Sequence, residues 1–220
     1  EIKTRLGILL KTLLYSLNYA GIADFQEKHN LPISGIFHIA EYGLLYEELL
    51  GVKEYEFQGE HTKISRNKNQ IVIGQVGSLG NPKDIIEKWV EEKYRSVPAV
   101  IINRKGDFYR VYDESYWAHT IQSGRSEDLW LSQCSIHVNL CNGGVVQKRA
   151  DSLYYTKKDD FGKIGQGEVI PSTEVCELRE DYKGKFEFQD YTEEQLKKLE
   201  SWILLMSLRF DIELLYRQDR

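Results

Sequence analysis

Ser135-Ile136-His137-Val138-Asn139-Leu140-Cys141-Asn142-Gly143-Gly144 alternates apolar and polar side chains and then breaks on two glycines. A period of two places Ile136, Val138 and Leu140 on one face of a strand and Ser135, His137 and Asn139 on the other. Upstream, Val100 to Ile102 is an apolar strand, Arg104-Lys105-Gly106 a turn, and Asp107 to Tyr112 its alternating hairpin partner. Earlier still, the β-branched run Ile71-Val72-Ile73 suits a buried strand ended by Gly74. Asn81-Pro82 then opens a helix: Pro fits its first turn, Asp84 and Glu87 favour its N-terminal dipole, and Ile85, Ile86, Trp89 and Val90 give it an apolar side. Thr192 followed by Gln195 is a capping-box signature, after which Leu196, Leu199, Trp202, Ile203, Met206 and Phe210 trace one helical face. Strands alternating with helices, plus one antiparallel hairpin, predict an α/β fold with a mixed central sheet flanked by helices.

The first fifty residues read differently. Leu6, Leu9, Leu10, Leu13, Leu14 and Leu17 fall at helical spacing, a second helical stretch covers Ala23 to His29, and a third runs from Ile39 to Leu50, closed by Gly51. The crowding of Leu9, Leu10, Leu13 and Leu14 suggests cover from another chain or a missing segment. The expected organisation is a small helical bundle over residues 1–52, a polar linker over 53–69 and an α/β domain over 70–220, with 147–187 as a polar, Gly- and Tyr-containing insertion.

Composition narrows the function classes. The formal net charge is -5, with 29% charged residues of mixed sign, so no basic field stands ready for a phosphate backbone and nucleic acid is not an expected partner. The longest apolar runs, such as Ala99 to Ile102, fall far short of the roughly 20 residues a membrane helix needs. Glu1 to Leu14 lacks the uninterrupted apolar core and cleavage site of a secretory signal, which leaves export undecided because the first residue is not Met. Cys134, Cys141 and Cys176 form no CxxC pair and are expected as free, packed thiols, one disulfide being left open. The glycines from Gly74 to Gly80 lack the Lys-Ser/Thr of a P-loop. Glu91-Glu92-Lys93 and the mixed charges from Glu193 to Glu200 read as solvated helix faces.

Between about Gln70 and Ile212 the order of pieces resembles the zinc-dependent N-acetylmuramoyl-L-alanine amidases and the peptidoglycan recognition proteins of the same superfamily. The pieces are the strand Ile71-Val72-Ile73, the hairpin from Ile101 to Tyr109, the passage Tyr116-Trp117-Ala118-His119, the strand from Ser135 to Leu140 with its glycines, and the helix opened by Tyr191-Thr192-Glu193-Glu194-Gln195. Separately, Phe25-Gln26-Glu27-Lys28-His29-Asn30-Leu31-Pro32-Ile33-Ser34-Gly35-Ile36-Phe37 resembles the core of the three-helix peptidoglycan-binding domain often fused to such amidases; His38 stands where that domain has a Gly.

The resemblance implies a zinc ion held by three protein ligands, with an open position for the water it activates. Its first ligand, a His directly after the opening strand, corresponds to Gly74, beside Gln75. The catalytic Tyr and the His next to it correspond to Pro98 and Ala99, and the Glu of the Ser135 strand to Asn139. The remaining ligands, in a loop after the last helix, have no counterpart here, since no His follows His137. A rewired metal site would have to draw on His119, His137 and Cys141.

The expectation is therefore a catalytically inactive, amidase-like module with no metal. It would bind cell wall or serve as structure, through a vestigial groove lined by Gly74, Gln75, Tyr116, Trp117, His119, His137 and Asn139. Tyr112, Tyr116, Trp117 and Trp130 could stack on sugar rings or a stem peptide there, or simply pack beside a loop. Expected partners are peptidoglycan or a muropeptide and other chains of an assembly, in a cell-envelope, extracellular, virion or phage-tail-like setting. The alternatives are a working zinc amidase completed by a tail or partner chain, and an unrelated α/β domain whose motif matches are accidental; the last requires that the hairpin and the Ser135 strand not share a sheet.

Overall fold

The computed structural model describes residues 2–55, 57, 59, 61–122, 124–148, 154–156, 169–182 and 185–214. Three helices open the chain: α1 (Ile2–Ser16), α2 (Ile22–Lys28) and α3 (Ile39–Leu50). Gly51 ends α3 in the left-handed conformation, φ 57°, that a residue with a Cβ adopts only at a cost. Gln26 is fully buried and organises the loop between α2 and α3. Its carbonyl accepts from the backbone N–H groups of Ser34 and Gly35, and its amide donates to Ile36 O and the Glu41 carboxylate.

The central sheet contains β1 (Lys53–Glu54), β2 (Gln70–Val76), β3 (Val100–Ile102), β4 (Phe108–Arg110) and β5 (Ser135–Cys141), in the order β1-β4-β3-β5-β2. Only the β3–β4 hairpin is antiparallel; β1 on β4, β3 on β5 and β2 on β5 are parallel. The hairpin and the Ser135 strand are therefore direct neighbours, and the fold is the mixed α/β class that the sequence predicts. Helix α4 (Pro82–Glu91), capped by the Asn81 side chain at Lys83 N, follows β2, and α5 (Asp128–Cys134) leads into β5. Beyond β5 come a three-stranded antiparallel sheet of β6 (Val146–Lys148), β7 (Tyr154–Thr156) and β8 (Val169–Ile170), and a ribbon of β9 (Val175–Tyr182) and β10 (Lys185–Gln189). These strands occupy the described part of the expected insertion; positions 149–153, 157–168 and 183–184 of it lie outside the described residues.

The last helix, α6 (Glu193–Phe210), opens on the capping box, with Gln195 N donating to Thr192 Oγ1 and Thr192 N to Gln195 Oε1. It fastens the sheet to the first three helices. Trp202, Leu205 and Met206 are fully buried in one continuous core with Leu13, Leu14, Phe25 and Leu45 of the helices and Val100, Ile102, Phe108 and Val138 of the sheet. Leu196, expected on the apolar face, is 48% exposed, and Leu205 takes its place. Within α1, Leu10, Leu13 and Leu14 are buried inside the chain and Leu9 is half-buried, and α1 packs on α6.

Three expectations change. The strand that was to end at Gly74 continues through it to Val76, because Gly74, Gln75 and Val76 pair with Asn139, Leu140 and Cys141. That strand is not buried but forms the sheet edge, with Ile73 51% exposed. The passage 53–69 contributes β1 and an antiparallel bridge from Thr62 to Trp117, so its backbone is bonded to the α/β unit at several points. Cys134, Cys141 and Cys176 are free thiols, the first two buried. Among the described residues no helix is long and apolar enough to cross a membrane.

Candidate functional site

The register of the parallel strands sets which predicted residues meet. Val72 lies beside His137, Gly74 beside Asn139, and Asn139 in turn beside Ile101. Partners in a parallel ladder project to the same face, so Gly74, His137 and Asn139 share one face while Gln75 projects from the other. Position 74 is closed. A Cβ built there would overlap the Asn139 side-chain oxygen, so Asn139 fills the space a side chain at 74 would enter. Gln75 is exposed and rests its amide against Gly144, whose φ of +66° and close approach to Gln75 Nε2, 3.0 Å from where a Cβ would sit, both favour glycine. Pro98 and Ala99 are buried; Ala99 offers its backbone alone, accepting from Val111 N and donating to His137 O.

The closure has a measurable consequence. Ala in mid-strand normally stabilises by about 0.5–1 kcal/mol over Gly. Gly74→Ala is expected to forfeit that gain while Asn139 is present and to recover it in the Asn139→Ala background. A double-mutant cycle read by urea unfolding should give a coupling of about 1 kcal/mol; additive single effects would show that the two residues do not share the space.

At the opposite end of the sheet the same face is built around a lysine that local sequence does not mark. Lys68 is 4% exposed, and its ammonium donates to three backbone carbonyls: Tyr116 at 2.7 Å, Gln133 at 2.9 Å and Ser135 at 3.0 Å. Burial pulls its pKa down to about 8. His137 is 7% exposed with Nε2 unpartnered, and burial, reinforced by the charge of Lys68, lowers its pKa to about 4. Lys68→Met is expected to cost about 2 kcal/mol in denaturant unfolding, since three buried carbonyls lose their donor while a buried charge is also relieved. An unchanged midpoint would mean that those carbonyls find other partners.

Tyr116, Trp117 and His119 belong to that end too. Trp117 is buried and bridges to Thr62, with its ring edge-on to His119 at 5.3 Å. His61 stacks on Tyr112 at 5.1 Å, and Tyr112 donates its hydroxyl to Val97 O. Tyr112 and Trp117 are thus packed in the interior, whereas Trp130 is 58% exposed. Ser135, which shares Lys68 with Tyr116, and Asn139 are four residues apart along β5, about 13 Å at strand rise. Of the predicted groove residues, Gly74, His137 and Asn139 therefore lie along one sheet face, Gln75 projects from the other, and Tyr116, Trp117 and His119 lie beyond the amino end of β5. Among the described residues no three His, Cys, Asp or Glu side chains converge as a metal site requires, and His119, His137 and Cys141 do not form such a group.

Open α/β sheets usually hold ligands at the carboxyl ends of their strands. Here that region is occupied by internal hydrogen bonds. Gln195 Nε2 donates to Ile102 O and Cys141 O, Asn142 Nδ2 to Gln189 O and Asp190 O, and both Gln189 and Arg104 donate to the Glu174 carboxylate.

Comparisons with known proteins add little to this geometry. No protein-family model matches the chain, and no curated protein matches it. Among solved structures, it is similar to the endolysin N-acetylmuramoyl-L-alanine amidase LysCS from Clostridium intestinale URNW, at 13% identity and a TM-score of 0.43, over 73% of this chain and 76% of that one. A likeness at that level carries no residue correspondence and no statement about substrate.

Proposed function

We propose that this chain is an amidase-like module that does not hydrolyse peptidoglycan and serves as a cell-wall-binding or structural component, in an envelope or a phage-like assembly. The observation that carries the reading is position 74. A metal-bound hydrolytic water needs side-chain ligands, and glycine supplies none. The Asn139 amide fills the adjoining space, so the strand end that would present the first ligand presents a neutral amide instead. Support for the amidase-like part is the sequence resemblance, whose pieces lie together: the Ile71 strand, the hairpin and the Ser135 strand are consecutive neighbours of one sheet. Zinc enters only in the alternative, a working amidase completed by other ligands.

Co-sedimentation with insoluble peptidoglycan tests the binding half. Retention of the chain in the pellet is expected, with release by soluble muropeptide. If neither wall nor muropeptide is bound, the structural role alone survives.

A further inference from the structure

The two edges of the central sheet are unlike. The β1 edge is two residues long and charged, Lys53–Glu54, which is how soluble proteins discourage further strand pairing. The β2 edge is seven residues long, Gln70-Ile71-Val72-Ile73-Gly74-Gln75-Val76, with no charge, no proline and an unbroken register on β5. Among the described residues nothing pairs with its outer side. Four of its seven residues, Ile71, Val72, Ile73 and Val76, are β-branched and suit a paired strand, yet Ile73 is 51% exposed, while Val138, its partner on β5, is fully buried.

We propose that β2 pairs with β2 of a second copy of this chain, antiparallel about a two-fold axis through Ile73, joining two five-stranded sheets into one of ten. The strand is its own complement. Ile73 meets Ile73 on the axis, Ile71 meets Gln75 and Val72 meets Gly74, and the absence of charge means that no like charges meet. The outward backbone donors and acceptors of the two strands would complete a ladder, and the side chains of the two Ile73 residues would cover each other. A seven-residue strand pair lies at the small end of specific interfaces, so the dimer is a weak one, with a Kd on the order of 10–100 μM.

Sedimentation equilibrium across that range is expected to show a monomer–dimer equilibrium. Ile73→Lys, at an exposed position, should leave the circular dichroism unchanged and the protein monomeric. In a Cys176→Ser background, Ile73→Cys should cross-link on oxidation, because opposed Cα atoms at about 4.5–5.5 Å suit a disulfide. Gln75→Cys should not, its two copies lying four residues apart along the ladder, about 13 Å. A chain monomeric to about 1 mM, far above that Kd, would overturn the proposal. So would a dimer that survives Ile73→Lys, or equal cross-linking at 73 and 75, because the contact would then lie elsewhere.

Discussion

Replacing Glu114 with alanine is expected to cost about 3 kcal/mol of folding free energy and, for a chain of this length, about 6–12 °C in Tm. Glu114 has no exposed surface, yet it carries a carboxylate. Its oxygens accept from the Tyr46 hydroxyl and from Trp202 Nε1 at 3.4 Å, and they pair with Arg110 and Arg209, each at 3.2 Å. Those partners come from α3, the end of β4 and α6, so one side chain ties three elements together. Burial, then the Glu114 charge, hold the Tyr46 phenol well above its ordinary pKa, so it stays a donor. Deleting one partner leaves the others desolvated, and that penalty exceeds the value of the interaction itself. Asp113 remains to pair with both arginines, which keeps the loss near the lower limit for a buried network. Glu114→Gln should lose less, because an amide oxygen can still accept from Tyr46. Removing the solvated Glu193–Lys197 pair should leave Tm unchanged. Equal, small effects at Glu114 and Glu193 would show that the buried network contributes nothing.

Stability is expected to fall by about 2 kcal/mol between pH 7 and pH 5, largely through His137. The unfolded chain protonates this imidazole near the ordinary histidine value, whereas the folded chain holds it neutral down to about 4. Between those values the unfolded state binds the additional proton, so stability rises with pH and is lost as pH falls. Most carboxylates titrate below this window, which separates their effect from that of His137. His137→Leu should flatten the dependence, and its cost at pH 7 should be small because Nε2 makes no hydrogen bond. Lys68→Met should flatten it in part, since the lysine charge is the second cause of the depressed pKa. Chemical unfolding at pH 7, 6 and 5 checks all three proteins; a His137→Leu slope equal to the parent's would assign the acid sensitivity elsewhere.

Local chemistry made much of the fold legible. The left-handed stop at Gly51, Asn81-Pro82 at the head of α4 and the Thr192–Gln195 box each act over three or four residues, so a single sequence displays them. The period of two from Ser135 onward was equally readable. Helix α5 was not, because seven residues, with Leu129, Trp130 and Leu131 in one consecutive run, give no clear helical stripe. The edge position of β2 was hidden because strand order depends on which segments meet, and Ile71-Val72-Ile73 reads alike in the middle and at the rim.

At the site, the absence of a ligand at Gly74 was visible and its closure by Asn139 was not, since that contact joins strands far apart in sequence. Nothing in the local sequence around Lys68 or Glu114 marks either as buried. What buries them is a set of partners brought in from distant segments: Tyr116, Gln133 and Ser135 for the lysine, Tyr46, Trp202 and Arg209 for the glutamate.

The proposed role turns on whether the amidase-like face can cut. Purified sacculi incubated with the chain, with and without added zinc, and analysed by mass spectrometry for free stem peptide test this most directly. The expected result is no peptide above the protein-free control under either condition. Zinc-stimulated release of stem peptide beginning with L-alanine would contradict it, and would require metal ligands other than any side chain at position 74.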